Sequence, residues 1–225
     1  MPSNCLLEKL ETGSGKKIKL KINDNLSTML SVKWEPEYTT VSLHRMFLKA
    51  PEGIVKSIGS YIGRKNLSIS PMVKAYIENS IQRLDYSKKL DRSKLSTKGS
   101  VYNLQTIFNK LNERYFDGEL QLSITWFGTK KTKKGSRLAL GLYQEPLKLI
   151  KIHRVLDNDH FPLFVVEFVI YHEMVHFVCP PYVDARGVTR IHHKAFKEKE
   201  QEYAHFQKAE QWIEKHQHDF FNSIY

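Results

Sequence analysis

Two cysteines in 225 residues, Cys5 and Cys179, exclude a disulfide-stapled fold and any four-cysteine zinc ribbon. At most one bridge can form, and Cys179, at the end of an apolar stretch, reads as a small core filler. A membrane span is also missing. The best candidate, Phe161 to Cys179, would bury Glu167, His172, Glu173 and His176 in lipid. Met1 to Lys9 lacks the long apolar segment of a secretory signal, so a cytoplasmic, intracellular location is expected, nucleoid-associated if DNA is bound. Internal repeats and the helix-turn-helix, RNA-recognition and zinc-finger signatures are all absent from the sequence.

Positive charge is abundant and unevenly spread. Residues 1–100 carry 18 Lys and Arg against 9 Asp and Glu, whereas residues 101–225 carry 17 against 15, within a net +11. Such a basic half favours nucleic acid or another polyanion, with binding that weakens as salt rises. The run Lys130, Lys131, Lys133, Lys134 lies between two predicted strands. It reads either as a basic loop beside a cleft or as a solvated loop.

Periodicity predicts an α+β chain in two regions, 1–98 and 99–225, divided by the polar, aperiodic stretch Asp91–Ser100. In the first, Ile18–Ile22 alternates as a strand, with Thr28–Trp34 and Thr39–Phe47 as partners. Helices follow near Glu52–Ile62 and from Pro71, capped by Ser70, to about Tyr86. The second region is predicted to hold a helix over Tyr102–Tyr115 and strands near Leu120–Phe127, Arg137–Tyr143 and Leu147–His153. A buried helix comes next, then helical spacing from Lys194 to Phe221.

The buried helix carries the chemistry. It reads His172-Glu173-Met174-Val175-His176 within an apolar run that starts after Pro162 and stops at Pro180-Pro181. Side chains four apart share a helical face, so both imidazoles can reach one ion. Glu173 lies one step round, placed to touch a water on that ion without ligating it. Polar groups in an apolar helix are costly unless something satisfies them. A pair of structural histidines is the plain alternative; two His and one Glu at this spacing favour zinc, Zn2+. The metzincin pattern is excluded, because Cys179 and Tyr182 stand where its Gly and third His belong. His192, four before Phe196, is the candidate third ligand; His193 competes with it, and Asp184, Glu198, Glu200 and Glu202 are weaker candidates.

From Val101 to about Phe206 the chain resembles the SprT-like metalloprotease domain, the group of bacterial SprT and eukaryotic Spartan. Leu104 to Leu120, with Asn112-Glu113-Arg114-Tyr115-Phe116 and Leu120, is similar to the family's opening helix and its Asn-x-x-Tyr-Phe-x-x-x-Leu ending. Leu140-Gly141-Leu142-Tyr143 and Leu149–Ile152 resemble its Gly-x-Tyr turn and following strand. His172–His176 resembles its metal helix, and His192–Phe196 its His-Gly-x-x-Phe segment, with His193 in place of the usual Gly.

The resemblance implies a zincin-like metalloprotease domain: a small sheet, the His-Glu-x-x-His helix and a third-ligand helix. It implies zinc on His172, His176 and His192, with Glu173 as catalytic base. It also implies an endopeptidase that, in eukaryotic relatives, degrades proteins crosslinked to DNA. A strand such as Leu147–His153 would run along the cleft, where an extended peptide can add to it. Tyr143, Tyr171, Tyr182 and His153 are conceivable oxyanion donors, with packing as the plainer reading of each. Two other classes stay open: a nucleic-acid-binding adaptor that keeps the fold without turnover, and a zinc hydrolase of non-peptide substrates.

Overall fold

Alternating apolar and lysine side chains make Ile18–Asn23 (β1) a one-sided strand: Ile18 is buried while Lys19 and Lys21 are exposed. It lies in a computed structural model of the chain that describes residues 3–64, 68–129 and 138–222. Leu30–Trp34 (β2) and Thr39–His44 (β3) complete a three-stranded sheet of order β1-β3-β2, with β1 parallel and β2 antiparallel to the central β3. Helix Ser3–Ser14 (α1), unforeseen in the sequence, lays Leu6 and Leu10 into the same core as Ile54, Val55, Ile58 and Ile62 of helix Glu52–Gly63 (α2). Full burial of each such side chain stabilises by about 1.5–3 kcal/mol. The two helices come very close, since a Cβ on Gly59 would stand 3.1 Å from the Cα of Gly13. Trp34 in β2 donates its indole N–H to the Ile62 carbonyl at 2.9 Å, tying sheet to helix.

Helix Pro71–Arg83 (α3) starts where Ser70 accepts the Val73 N–H, as the sequence predicts. A short hairpin, Tyr182–Val183 (β7) with Thr189–Arg190 (β8), belongs to this first unit and was not foreseen in the sequence. Lys74 Nζ donates to the Gly187 carbonyl in its turn. The first unit is thus residues 1–83 with 182–190, and the second is residues 84–181 with 191–225.

In the second unit, helix Leu104–Phe116 (α4) is capped by Asn103, whose side chain accepts the Gln105 and Thr106 N–H groups. The Asn-x-x-Tyr-Phe-x-x-x-Leu pattern has a physical reason here. Buried Asn112 donates to the Leu120 carbonyl and accepts the Leu120 N–H, both at 3.1 Å, closing the turn after the helix. Left-handed Asp117 (φ 52°) and Gly118 (φ 72°) reverse the chain between them.

Ser123–Phe127 (β4), Gly141–Gln144 (β5) and Leu149–His153 (β6) form a second mixed sheet of order β4-β6-β5. β6, expected along the cleft, is the central strand; among the described residues β5 occupies an edge. Strand β6 buries Leu149, Ile150, Ile152 and His153, so both of its faces are covered. Residues 91–100 are fastened within this unit: Ser96 N–H donates to Thr125, and Asp157 accepts the N–H groups of Ser100, Val101 and Tyr102.

Helix Leu163–Val178 (α5) runs through the core, with its sides buried from Val165 to Tyr171. The tail holds two helices instead of one, Lys194–Gln201 (α6) and Phe206–Asn222 (α7). Among the described residues this is an α+β fold of small mixed sheets and seven α-helices, and no helix is long and apolar enough to cross a membrane. Both cysteines are free thiols. The expected basic loop residues Lys130, Lys131, Lys133 and Lys134 lie outside the described residues.

Candidate metal centre

Helix α5 is built from apolar, mostly β-branched or aromatic residues, and packing rather than intrinsic propensity holds it. Pro162 precedes its first turn, accepting the Val165 N–H through its carbonyl, and Pro180-Pro181 prevent its continuation. One turn apart near its C-terminal end, the rings of His172 and His176 stand 4.9 Å apart. His192, just before α6, brings its ring to 5.1 Å from each of them. One nitrogen from each of the three lies within 4.8 Å of the others.

His193 is turned elsewhere, with Nε2 3.3 Å from the Pro180 carbonyl at the N-cap of α6. Of the two candidates for the third position, the fold brings His192 to the cluster.

These residues fit a metal ion. Nε2 of His176 and Nε2 of His192 are 3.4 Å apart. Two nitrogens bound to tetrahedral zinc at about 2.0–2.1 Å lie roughly 3.3–3.4 Å from each other. Ligation also needs free lone pairs. Burial, reinforced by His172 and then His192, pushes the His176 imidazole down to about 3. Burial and then His172 likewise lower His192. Both rings are therefore neutral at physiological pH, the form that binds metal. Phe196 supports all three, its ring centroid 5.1, 4.7 and 4.6 Å from those of His172, His176 and His192.

Glu173 is 6% exposed. Burial raises its carboxyl to about 7, opposed by His172 and by the backbone N–H of Tyr143 in β5. A cation bound alongside would pull that value back down. The strand comes so close that a Cβ on Gly141 would sit 2.4 Å from Glu173 Oε1. Here the Gly-x-Tyr pattern serves the site directly: the glycine makes room for the carboxylate, and the Tyr143 backbone donor faces it.

Two other candidates, Tyr171 and His153, take structural parts. Tyr171 donates its hydroxyl to the Lys199 carbonyl at 2.7 Å. His153 accepts the Val155 N–H at the start of a short turn. Tyr143 sets its ring edge-on to Phe177 at 6.2 Å, and burial drives its hydroxyl far above the usual tyrosine range. Tyr182 lies in β7 of the first unit. Asp184 accepts N–H groups from Arg186 and Val188 and pairs with Arg190, closing the β7–β8 turn. Glu198 and Glu202 pair with Lys194 and Lys199 on α6. Glu200 differs, because its carboxylate lies 2.6 Å from His172 Nδ1. The sequence reading missed that contact, although the interval of four joining His192 to Phe196 reaches Glu200 at its next step.

Comparison with protein-family models, with curated proteins and with solved structures returns no match for this chain.

Proposed function

We propose that the second unit is a zinc-dependent endopeptidase of the SprT-like type, its zincin-like centre formed by His172, His176 and His192. The observation that carries this reading is the convergence of three imidazole nitrogens beside a buried carboxylate in the order His-Glu-x-x-His. When bound, zinc lowers the pKa of a coordinated water towards about 7 and polarises the scissile carbonyl.

Glu173 takes up the proton released as the water oxygen bonds to the carbonyl carbon. It returns that proton to the amide nitrogen as the C–N bond breaks. The absence of a side chain at Gly141 lets the carboxylate reach its position against β5. Among the described residues β5 is an edge strand, offering backbone groups to which an extended peptide can add, and Glu173 lies beside it. The positive excess of residues 1–100 supports substrates held on DNA, including proteins crosslinked to it.

The test is cleavage of a loosely folded protein by the full chain, with and without single-stranded DNA and with and without a chelator. Chelator-sensitive cleavage that rises with DNA is the expected result. Salt-sensitive DNA binding without cleavage would replace the protease with an adaptor. Zinc binding with hydrolysis of small esters or amides but not of proteins would make it a non-peptide hydrolase.

A further inference from the structure

Glu200 is the one acidic residue of α6 whose carboxylate meets a candidate ligand. Its neighbours Glu198 and Glu202 have side chains 62% and 54% exposed and pair with lysines, whereas Glu200 is 15% exposed and lies 2.6 Å from His172 Nδ1. A carboxylate at neutral pH only accepts, so the shared hydrogen sits on the imidazole nitrogen. An imidazole protonated at Nδ1 keeps its lone pair on Nε2.

The surroundings leave that ring little freedom. Phe196, one turn before Glu200, packs its ring 5.1 Å from that of His172, and Phe168 stands edge-on at 6.4 Å from the other side of the sequence. One residue before Glu200, the Lys199 carbonyl accepts the Tyr171 hydroxyl at 2.7 Å, fastening α6 to α5 next to the contact. His192, Phe196 and Glu200 therefore bring a ligand, a platform and an anchor from a single segment, spaced four residues apart.

We infer that Glu200 is a positioning residue that fixes the tautomer and orientation of His172, so that Nε2 is presented to a metal ion shared with His176 and His192. The role rests on the metal reading proposed above and extends it: the carboxylate raises the basicity of the ligand and removes the entropy cost of orienting it. Glu200 touches neither the ion nor the substrate.

Zinc affinity of the full chain, measured by competition with a chromogenic chelator, tests the role without recourse to turnover. Glu200→Ala is expected to weaken zinc binding by about 10- to 100-fold. Glu200→Gln, whose amide oxygen still accepts the Nδ1 hydrogen, should lose less, and Glu198→Gln should match the unaltered chain. NMR of the imidazole nitrogens in metal-free protein should find the His172 proton on Nδ1, shifting towards Nε2 in Glu200→Ala.

A chain that binds no zinc at all would remove the metal reading itself. Zinc bound normally by the unaltered chain and equally well by Glu200→Ala would overturn the positioning role alone. So would a His172 proton found on Nε2 in the unaltered chain. If the alanine variant does not fold, the glutamine variant and the tautomer of the unaltered chain decide the matter.

Discussion

Helix α5 buries two glutamates to nearly the same depth and treats them differently. Glu167 is 7% exposed and Glu173 6%. Around Glu167 the fold supplies Lys110 Nζ at 2.9 Å and the Tyr203 hydroxyl at 3.0 Å, so the carboxylate is paired and hydrogen-bonded. Glu173 has a backbone N–H and an imidazole nearby, and burial outweighs both, holding its carboxyl near 7. Same residue type, same helix, same burial: the difference lies in the partners. A buried charge with its partners in place maintains structure, while one held short of them is available for proton transfer.

The largest expected effect lies at the histidine end. His176→Ala removes one of the three proposed ligands and should weaken zinc binding on the order of a thousandfold, with cleavage falling below detection. Tyr203→Phe, at the Glu167 end, should leave zinc content unchanged. Metal analysis after gel filtration reads both, and equal zinc loss in the two variants would erase the distinction between the ends.

Next comes the proposed base. Glu173→Gln should retain zinc but slow peptide cleavage on the order of a hundredfold or more. Glu167→Gln should leave the rate nearly unaltered. Steady-state assays beside metal analysis make the comparison, and a Glu173→Gln protein that cleaves at full rate would remove Glu173 from the mechanism.

Stability should move in opposite directions. In metal-free protein, replacing Glu173 by neutral Gln removes a buried charge that lacks a full set of partners. A carboxyl raised from 4.5 to about 7 disfavours the folded state by up to about 3 kcal/mol once both states are ionised. The gain from Glu173→Gln is therefore full above pH 7, shrinks as pH falls through 7, and vanishes below about 4.5, where both states are protonated. Glu167→Gln instead weakens charged hydrogen bonds and should destabilise by about 1 kcal/mol. Urea unfolding of chelator-treated protein at pH 8 and pH 4.5 measures both signs.

The difference between the two glutamates could not be read from the sequence, where each is a Glu in an apolar helix. What was legible followed from local rules. The apolar run of α5, its proline boundaries and the interval between His172 and His176 need no tertiary information, and the strands β1, β2, β3 and β6 announce themselves by composition. Helix α1 escaped because Gly13, Gly15 and the polar residues around Leu6 and Leu10 give a weak pattern that only packing on α2 makes stable. The break between α6 and α7 escaped because Tyr203 and Phe206 continue the apolar spacing across it. The contact of Glu200 with His172 was hidden by lysine-rich neighbours, which make the whole of α6 look solvated. In each case the missing information was a contact between segments distant in sequence.

The smallest effect expected at the site is also the most local. Gly141→Ala adds a single methyl where Glu173 Oε1, Cγ and Cδ would lie 2.4, 2.8 and 2.9 Å from it. Because the obstacle is a side chain, the strand can keep its pairing with β6 while the carboxylate swings away from the Tyr143 N–H. The three atoms nearest the new methyl all belong to Glu173, so zinc affinity should stay within about twofold while the cleavage rate falls by about tenfold, equivalent to about 1.4 kcal/mol of barrier. Loss of zinc together with activity would mean that β5 supports the whole centre; loss of rate alone would tie the edge strand to the placement of the base.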